Sequence, residues 1–593
     1  MLRIIKSFGR HQEDSHEGVL VPLEQVQRYA SVPGDDENDI ADPRHTGAGQ
    51  LKVAGDDDND NDNAPLLVTD GGESLARLRA EIEADMTTSD SQTTYDLKSK
   101  VFNKAIQDIG MGRYQWELFA LCGMGWFADN LWMGGLSLVL PRMSIEFGID
   151  ENKVRYTTMF TFIGLSIGSS FWGIASDIIG RRPAFNATLL LCGAFGFATG
   201  FGPSWIATSM LFLCMGLGVG GNLPVDGALF LEFLPFDSGH LLTLLSVWWP
   251  VGQLAASLLA WAIIPTRSCD LQLQACFLVN GIQPCCSTSD NMGWRYFIFS
   301  LGILTLFMFV CRYFLFTLYE SPKFLLSHNR QAEAVSVIHA IAYHNKSQTW
   351  LTEDILNAIG GHPESASNSG PSAKEIGMRK MQAFSLRLVR PLFKDSKLAL
   401  STSLIWFIWA AIGMGYPLFN AFLPQYLQHI GDTDPDDAPV STNTVYADFA
   451  ITSIVGLPGA LLAGYAVDLR YLGRRGTLAI STLISGLTMF LFTYSTNPGY
   501  QTFCSSLAAF FQNIMYGVLY AYTPEVFPSP NRGTGTGIAS LLNRIAGMCA
   551  PVVAATVGAI HPAAPIIGAG VVYVAAFAAM CILPIETRGK QSL

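Results

Sequence analysis

Asp129 is the single charged residue in the stretch from Leu118 to Pro141, within GMGWFADNLWMGGLSLVLPRM at 123–143. An apolar run of that length reads as a membrane-spanning helix, because about 20 residues cross the ~30 Å hydrocarbon core. A central Asp costs roughly 2.5–3.5 kcal/mol on insertion scales, so one retained there points to chemistry. The chemistry that suits it is proton uptake and release as its surroundings alternate between wet and dry. Asp226, in GGNLPVDG (220–227), is a second such carboxylate, one helical turn after Asn222. Arg544, in SLLNRIAGM (540–548), is the corresponding cation. A membrane-buried Arg faces a cavity or a partner, so Arg544 would hold an anionic solute or neutralise Asp129 or Asp226. For all three, a structural pair with a neighbouring helix is the competing reading.

Other residues suit the wall of a solute pocket. Trp126, Asp129 and Met133 share a helix face, as do Asn222 and Asp226. Trp248, Trp249 and Gln253, then Tyr416 and Asn420, then Gln512, Asn513, Tyr516 and Tyr520 place polar or aromatic groups inside apolar segments. Aromatics in membrane helices also serve as packing and interface anchors, which is the plainer role for each. There is no metal-ligand cluster, nucleotide loop or nucleophile–base set, so no cofactor is expected and an enzyme is the least expected class. Without a Walker motif, ATP is not the energy source.

The elements that must position these residues follow from hydropathy. Half of the 593 residues are hydrophobic and 14% are charged, against about a quarter charged in soluble domains. The expected fold is all-α and polytopic, with twelve spans near 117–140, 156–176, 184–201, 206–231, 242–264, 295–317, 398–424, 446–467, 477–494, 501–521, 535–557 and 563–584. Residues 1–110 are expected to be a disordered acidic cytosolic tail, including DDDNDNDN at 56–63, with short amphipathic helices near 74–85 and 94–109. A six-helix bundle over 111–318, a cytosolic central loop over 319–397, a second bundle over 398–585 and a short cytosolic end over 586–593 complete the plan. No signal peptide is visible, and no basic patch suggests nucleic acid.

Basic residues set the orientation. Arg181 and Arg182, ten Lys or Arg between Lys323 and Lys397, Arg470, Arg474 and Arg475, Arg532, and Arg588 with Lys590 lie on one side. The other side has few, and its 425–445 connection is acidic. Both termini are therefore expected in the cytosol. Cys269, Cys276, Cys285 and Cys286 crowd the external 265–293 loop, where an oxidising compartment permits disulfides. Adjacent Cys285 and Cys286 are not expected to pair, which leaves two connectivities. The other seven cysteines fall within spans as packing residues.

The chain repeats itself. GIASDIIGRRP (173–183) is echoed by GYAVDLRYLGRRG (464–476), and LEFLP (231–235) by PEVFP (524–528). Gly180 and Gly473 stand 293 residues apart, as do Glu232 and Glu525. Two motifs with one offset indicate a duplicated six-helix unit. Gly173, Asp177, Arg181, Arg182 and Glu232, with Asp468, Arg474, Arg475 and Glu525 in the second copy, form an expected cytosolic gate. Its ion pairs would form when that side closes and break when it opens; the competing reading is that the Arg residues only follow the positive-inside rule.

Six-plus-six spans with DxxGRR and its echo resemble the major facilitator superfamily over about residues 100–590. ESPKFLL (320–326) and ETRGK (586–590) look like sugar-porter signatures. AIQDIGMGRYQWELFALCGMGWFADNLW (105–132) and YAYTPEVFPSPNRGTGTG (520–537) look like the synaptic-vesicle-two-related and metabolite:proton symporter branches, in a fungal form. The resemblance implies a rocker-switch transporter with a central site. QQxxGxN is absent from IWFIWAAIGMGYPLFNAFLPQY (405–426), which disfavours sugar. The acid of the phosphate symporters' GGDYPLS is Asn222 here, and Phe212 stands where those relatives carry Arg, which disfavours phosphate.

The reading from sequence is a proton-coupled transporter of a small organic solute, an organic anion favoured by Arg544, acting as a monomer in the bilayer. A proton-antiport efflux pump is the second reading and a non-transporting nutrient sensor the third. DNAPLL (62–67) fits an acidic dileucine pattern that an adaptor would read, placing the protein in the vacuolar or endosomal rather than the plasma membrane. A chance pair of leucines is the simpler account of that match.

Overall fold

The computed structural model describes residues 18–23, 75–81, 94–235, 238, 240–269, 273–279, 284–361, 389–428, 441–466, 473–527 and 532–587. The dileucine pattern, Asp468, Arg470, Arg588, Lys590 and most of the acidic tail lie outside them. The described secondary structure is helical, with two isolated β-bridges. In chain order the main helices are α1 Thr94–Ile109, α2 Arg113–Phe147, α3 Tyr156–Ile179, α4 Arg181–Thr199, α5 Trp205–Phe233, α6 Trp248–Ile263, α7 Gly293–Val310, α8 Pro322–Ser327, α9 Gln331–Asn345 and α10 Glu353–Gly360. Then follow α11 Ser396–Tyr416, α12 Thr442–Ala466, α13 Gly473–Phe492, α14 Pro498–Val526, α15 Arg532–Gly558 and α16 Ala564–Ile582. Ten helical segments among the described residues are long and apolar enough to cross a membrane. α2, interrupted by Asp129, and α4, which starts on Arg181 and Arg182, are the two further long helices consistent with twelve.

Chain contacts separate two compact units. One comprises Met1–Leu118, Leu231–Gly239 and Leu318–Ser372; the other holds Phe119–Phe230, His240–Thr317 and Ala373–Leu593. In the first, α1 buries Val101, Phe102, Ala105, Ile106 and Ile109. Lys98 donates to Gln331 on α9 at 2.7 Å, and Trp350 donates to Asp108 at 2.7 Å. Burial pushes the Asp108 carboxyl above its usual range, against the opposing pull of the Trp350 N–H. Tyr114 packs on Phe233 and Tyr319 with ring centroids 5.5 and 5.4 Å apart. The expected central loop is thus partly built: α8, α9 and α10 fold with α1. Hydropathy missed them because they are 6, 15 and 8 residues long, too short to read as spans.

In the second unit the repeat is visible in the backbone. Gly180, between α3 and α4, has φ +104°, and Gly473, at the start of α13, has φ +59°. A side chain is strained there, so the shared GRR motif uses its glycine for the turn. α3 and α5 meet backbone to backbone. A Cβ on Gly164, Gly168 or Gly220 would lie 2.1, 2.3 or 2.2 Å from the carbonyl oxygens of Leu213, Leu217 and Leu165. Small residues permit that approach where lipid offers no hydrophobic drive for helix association.

The loop after α6 pairs Cys269 with Cys286 and Cys276 with Cys285, at Cα separations of 5.8 and 4.8 Å. Sequence left that choice open. Of the seven cysteines outside disulfides, Cys122, Cys192, Cys311 and Cys504 are buried and Cys214 is half-buried, whereas Cys549 and Cys581 are exposed on their helices. The packing role assigned to all seven therefore fails for the last two. Thiol tagging of denatured, unreduced protein is expected to mark seven cysteines, and eleven after reduction; eleven before reduction would contradict both disulfides.

Candidate functional site

A cavity of about 150 Å³ lies between the two six-helix halves, inside the second unit. Its first-half wall is Asp129, Asn130 and Met133 from α2, Phe162 and Leu165 from α3, Val219 and Leu223 from α5, and Trp249 from α6. The second half supplies Gly413, Tyr416 and Pro417, then Asn513, Tyr516 and Tyr520 from α14, and Ser540, Asn543 and Arg544 from α15. One carboxylate and one guanidinium, contributed by opposite halves, are set among aromatic rings.

Asp129 is nine-tenths buried, and its Oδ1 accepts from Asn222 Nδ2 at 3.0 Å. Asn222 donates also to the Gly125 carbonyl at 3.3 Å, so it ties α5 to two successive turns of α2. Across the cavity, Arg544 Nη1 donates to the Leu165 carbonyl at 2.8 Å, a bond between the halves. The aromatic wall is continuous. Trp249 lies 4.9 Å from Tyr520 and 6.3 Å from Tyr516, and Tyr416 meets Tyr516 edge-on at 5.4 Å.

Several residues singled out by sequence lie elsewhere. Asp226 is off the cavity, in an ion pair with Arg312 at 3.0 Å, both fully buried. Trp126 is behind the wall, stacked on Trp249 at 4.6 Å, because a position three before Asp129 turns toward α6. Trp248 packs on Phe119, and Gln253 lies against Gly134. Asn420 and Gln512 bond each other at 2.9 Å within the second half. None of these five pocket candidates lines the cavity. Asn130, Ser540 and Asn543 do, and were not singled out. Their signal was modest, since each is a small polar residue one turn or less from Asp129 or Arg544.

The gate motifs make pairs inside each half. Asp177 and Arg181 are 2.6 Å apart, and Arg181 also donates to Ser176. Arg474 pairs with Glu525. The Arg474 and Arg475 backbone N–H groups donate to Glu586 of the ETRGK segment at 3.0 and 3.2 Å, a carboxylate at the start of α13 that suits the helix dipole. A Cβ added to Gly173 would meet no atom within 4 Å. Glu232 belongs to the other compact unit. Among the described residues no His, Cys, Asp or Glu cluster is placed to hold a metal ion.

At the disulfide-bearing end the halves are bonded together. Arg155, before α3, donates to Gln425 at 3.0 Å and to the Ala554 carbonyl at 2.6 Å, and lies over the Phe422 ring. Tyr446 donates to the Leu138 carbonyl at 2.9 Å, and further in, at mid-helix, Ser257 meets Ser453 at 2.9 Å. Truncating Arg155 to Ala removes two of these bonds and leaves the buried Gln425 side-chain oxygen without its donor. A cysteine reporter placed at this mouth is expected to alkylate several-fold faster in Arg155→Ala; an unchanged rate would show that Arg155 does not hold that end shut.

A model described as Major Facilitator Superfamily matches residues 118–469 and 444–592. The MFS siderochrome iron transporter 1 of Ceriporiopsis subvermispora is 40% identical over 499 residues, covering 84% of this chain and 92% of that protein. The Synaptic vesicle 2-related protein of Xenopus laevis is 27% identical over 503 residues, covering 82% and 81%. Among solved structures, the proton:xylose symporter XylE superposes with a TM-score of 0.56 at 18% identity, over 81% of this chain and 98% of that one.

Proposed function

The chain belongs to the major facilitator superfamily, and from that premise we propose that it moves a small organic solute, with an organic anion favoured, by alternating access coupled to protons. It is a multi-pass membrane transport protein, and the relatives it matches are named as transporters. The observation that carries the finer reading is the cavity itself, with Asp129 and Arg544 facing it from opposite halves. A solute held between them spans the surface along which the halves must part. Arg544 offers a fixed planar donor set for a carboxylate or similar anion. Asp129 is the exchangeable acid, and Asn222 holds its carboxyl toward the cavity. Asp226, paired with Arg312, is assigned a supporting place rather than the proton.

One proton moving with a monoanion carries no net charge, so the pH gradient supplies the work, about 1.4 kcal/mol for each pH unit. The basic side of the chain is taken as cytosolic and the disulfide loop as external, so the bonds of Arg155 close the outer side. The Asp177–Arg181 and Arg474–Glu525 pairs serve the inner gate, and a proton-antiport exporter would use the same gates with proton and solute taken up at opposite faces. The names of similar proteins do not select the solute, since one is named for siderochrome iron and another for xylose.

Untargeted uptake and release profiling in vesicles under an imposed pH gradient tests this reading. A small anionic solute should accumulate with the wild type and lose affinity by about tenfold or more in Arg544→Gln, the loss of one charge-assisted contact. Equal affinity in both proteins would remove Arg544 from the site.

A further inference from the structure

Arg312 has no part in the cavity, yet its guanidinium bonds three other helices of the first half. It sits in the π-helical turn Cys311–Leu315 that ends α7, a local widening that frequently accompanies functional sites. Its Nη1 donates to the Phe185 carbonyl on α4 at 2.8 Å, and its Nη2 donates to the Leu121 carbonyl on α2 at 2.6 Å and to Asp226 Oδ2 on α5 at 3.0 Å. The guanidinium stands 3.4 Å over the Phe185 ring. Arg312 and Asp226 have no exposed side-chain surface.

These contacts lead to Asp129. Leu121, Gly125 and Asp129 are successive turns of one α2 face, and Asp226 and Asn222 are successive turns of α5. Arg312 bonds the first α2 rung and Asp226. Asp226 lies so close to Gly125 that a Cβ there would be 1.8 Å from Oδ2. Asn222 then bonds the second and third rungs, at the Gly125 carbonyl and Asp129. We propose that Arg312 is a positioning residue for the proton site: it neutralises Asp226 and fixes α2 against α5, so that Asp129 meets the solute without a second buried anion behind it.

The proposal rests on the reading of Asp129 as the exchangeable acid. The charged and titratable groups facing Asp129 are Arg544 and Tyr520 from the second half, Cys192 from α4, Asp226 from α5 and Arg312 from the end of α7. Removing one member of the Arg312–Asp226 pair leaves the other as an uncompensated buried charge near Asp129. Removing both leaves none.

The test needs no solute. Full-length protein in liposomes is titrated by infrared difference spectroscopy, following the carboxylic-acid C=O band that Asp129→Asn abolishes. Arg312→Gln and Asp226→Asn should displace its midpoint in opposite directions along the pH axis, and the double variant should return it to the wild-type position. A merely structural tie would not produce opposite shifts that cancel. Should Arg312→Gln not be recovered folded, Asp226→Asn and the double variant carry the same comparison. An unchanged midpoint in Asp226→Asn, or a double variant that keeps the Asp226→Asn shift, would overturn the proposal while the Asp129 band stays assigned. A band that survives in Asp129→Asn would instead sink the proton reading, and this proposal with it.

Discussion

Asp129→Asn is expected to end proton-driven accumulation while leaving part of the solute exchange between the two sides. Under a pH gradient of about two units, one coupled proton supports up to about 100-fold accumulation, since each 1.4 kcal/mol is a factor of ten. In the variant that ratio should fall to about one. The amide keeps the size of the carboxyl and can still meet Asn222, so the cavity and its remaining wall are preserved. Exchange, which needs the halves to move but needs no net proton, therefore survives in part. Accumulation at the wild-type ratio would remove Asp129 from coupling and leave it as a structural acid tied to Asn222.

The second large effect concerns α3 against α5. Gly220→Val sets a branched side chain where even a Cβ would lie 2.2 Å from the Leu165 carbonyl. The obstacle is backbone, so no rotamer change relieves it, and overpacking of this kind costs about 1–3 kcal/mol or more. Leu165 lines the cavity and accepts the bond from Arg544, so the shift reaches the site as well as the fold. A Cβ added to Gly227, on the same helix, would have nothing within 4 Å. Gly227→Ala should therefore melt with the wild type in detergent, and Gly220→Val should melt several degrees lower or not be recovered folded. Coincident melting of all three would mean that the close approach of α3 and α5 contributes little.

Asp129 and the repeat were legible in the sequence for one reason: each is a departure from a local background. A charge in an apolar run is expensive, and two motifs at one offset do not need alignment of the rest. Helix existence was equally plain, although α2 extends to Phe147, past Pro141, beyond the limit that hydropathy set near 140. What spacing does not carry is the partner across helices. Asp226 looked like a proton carrier because its partner Arg312 is 86 residues away in sequence, inside a different span. Trp126 and Gln512 looked like pocket residues because helical periodicity gives a face without saying which neighbour it meets. Tyr516, Tyr520 and Asn513 did reach the cavity, on a single face and edge of α14. The disulfide pairing and the assembly of α1 with α9 and α10 also depend on contacts that no short-range pattern encodes.

The most direct measurement of the central claim is solute-driven proton movement. Vesicles holding the protein and an internal pH dye, with no initial pH gradient, receive an inward gradient of the solute that profiling identifies. The lumen should change pH with the wild type, remain still with Asp129→Asn, and respond weakly with Arg544→Gln at the same solute concentration. A lumen that stays at its starting pH while labelled solute enters through the wild-type protein would contradict proton coupling at this site.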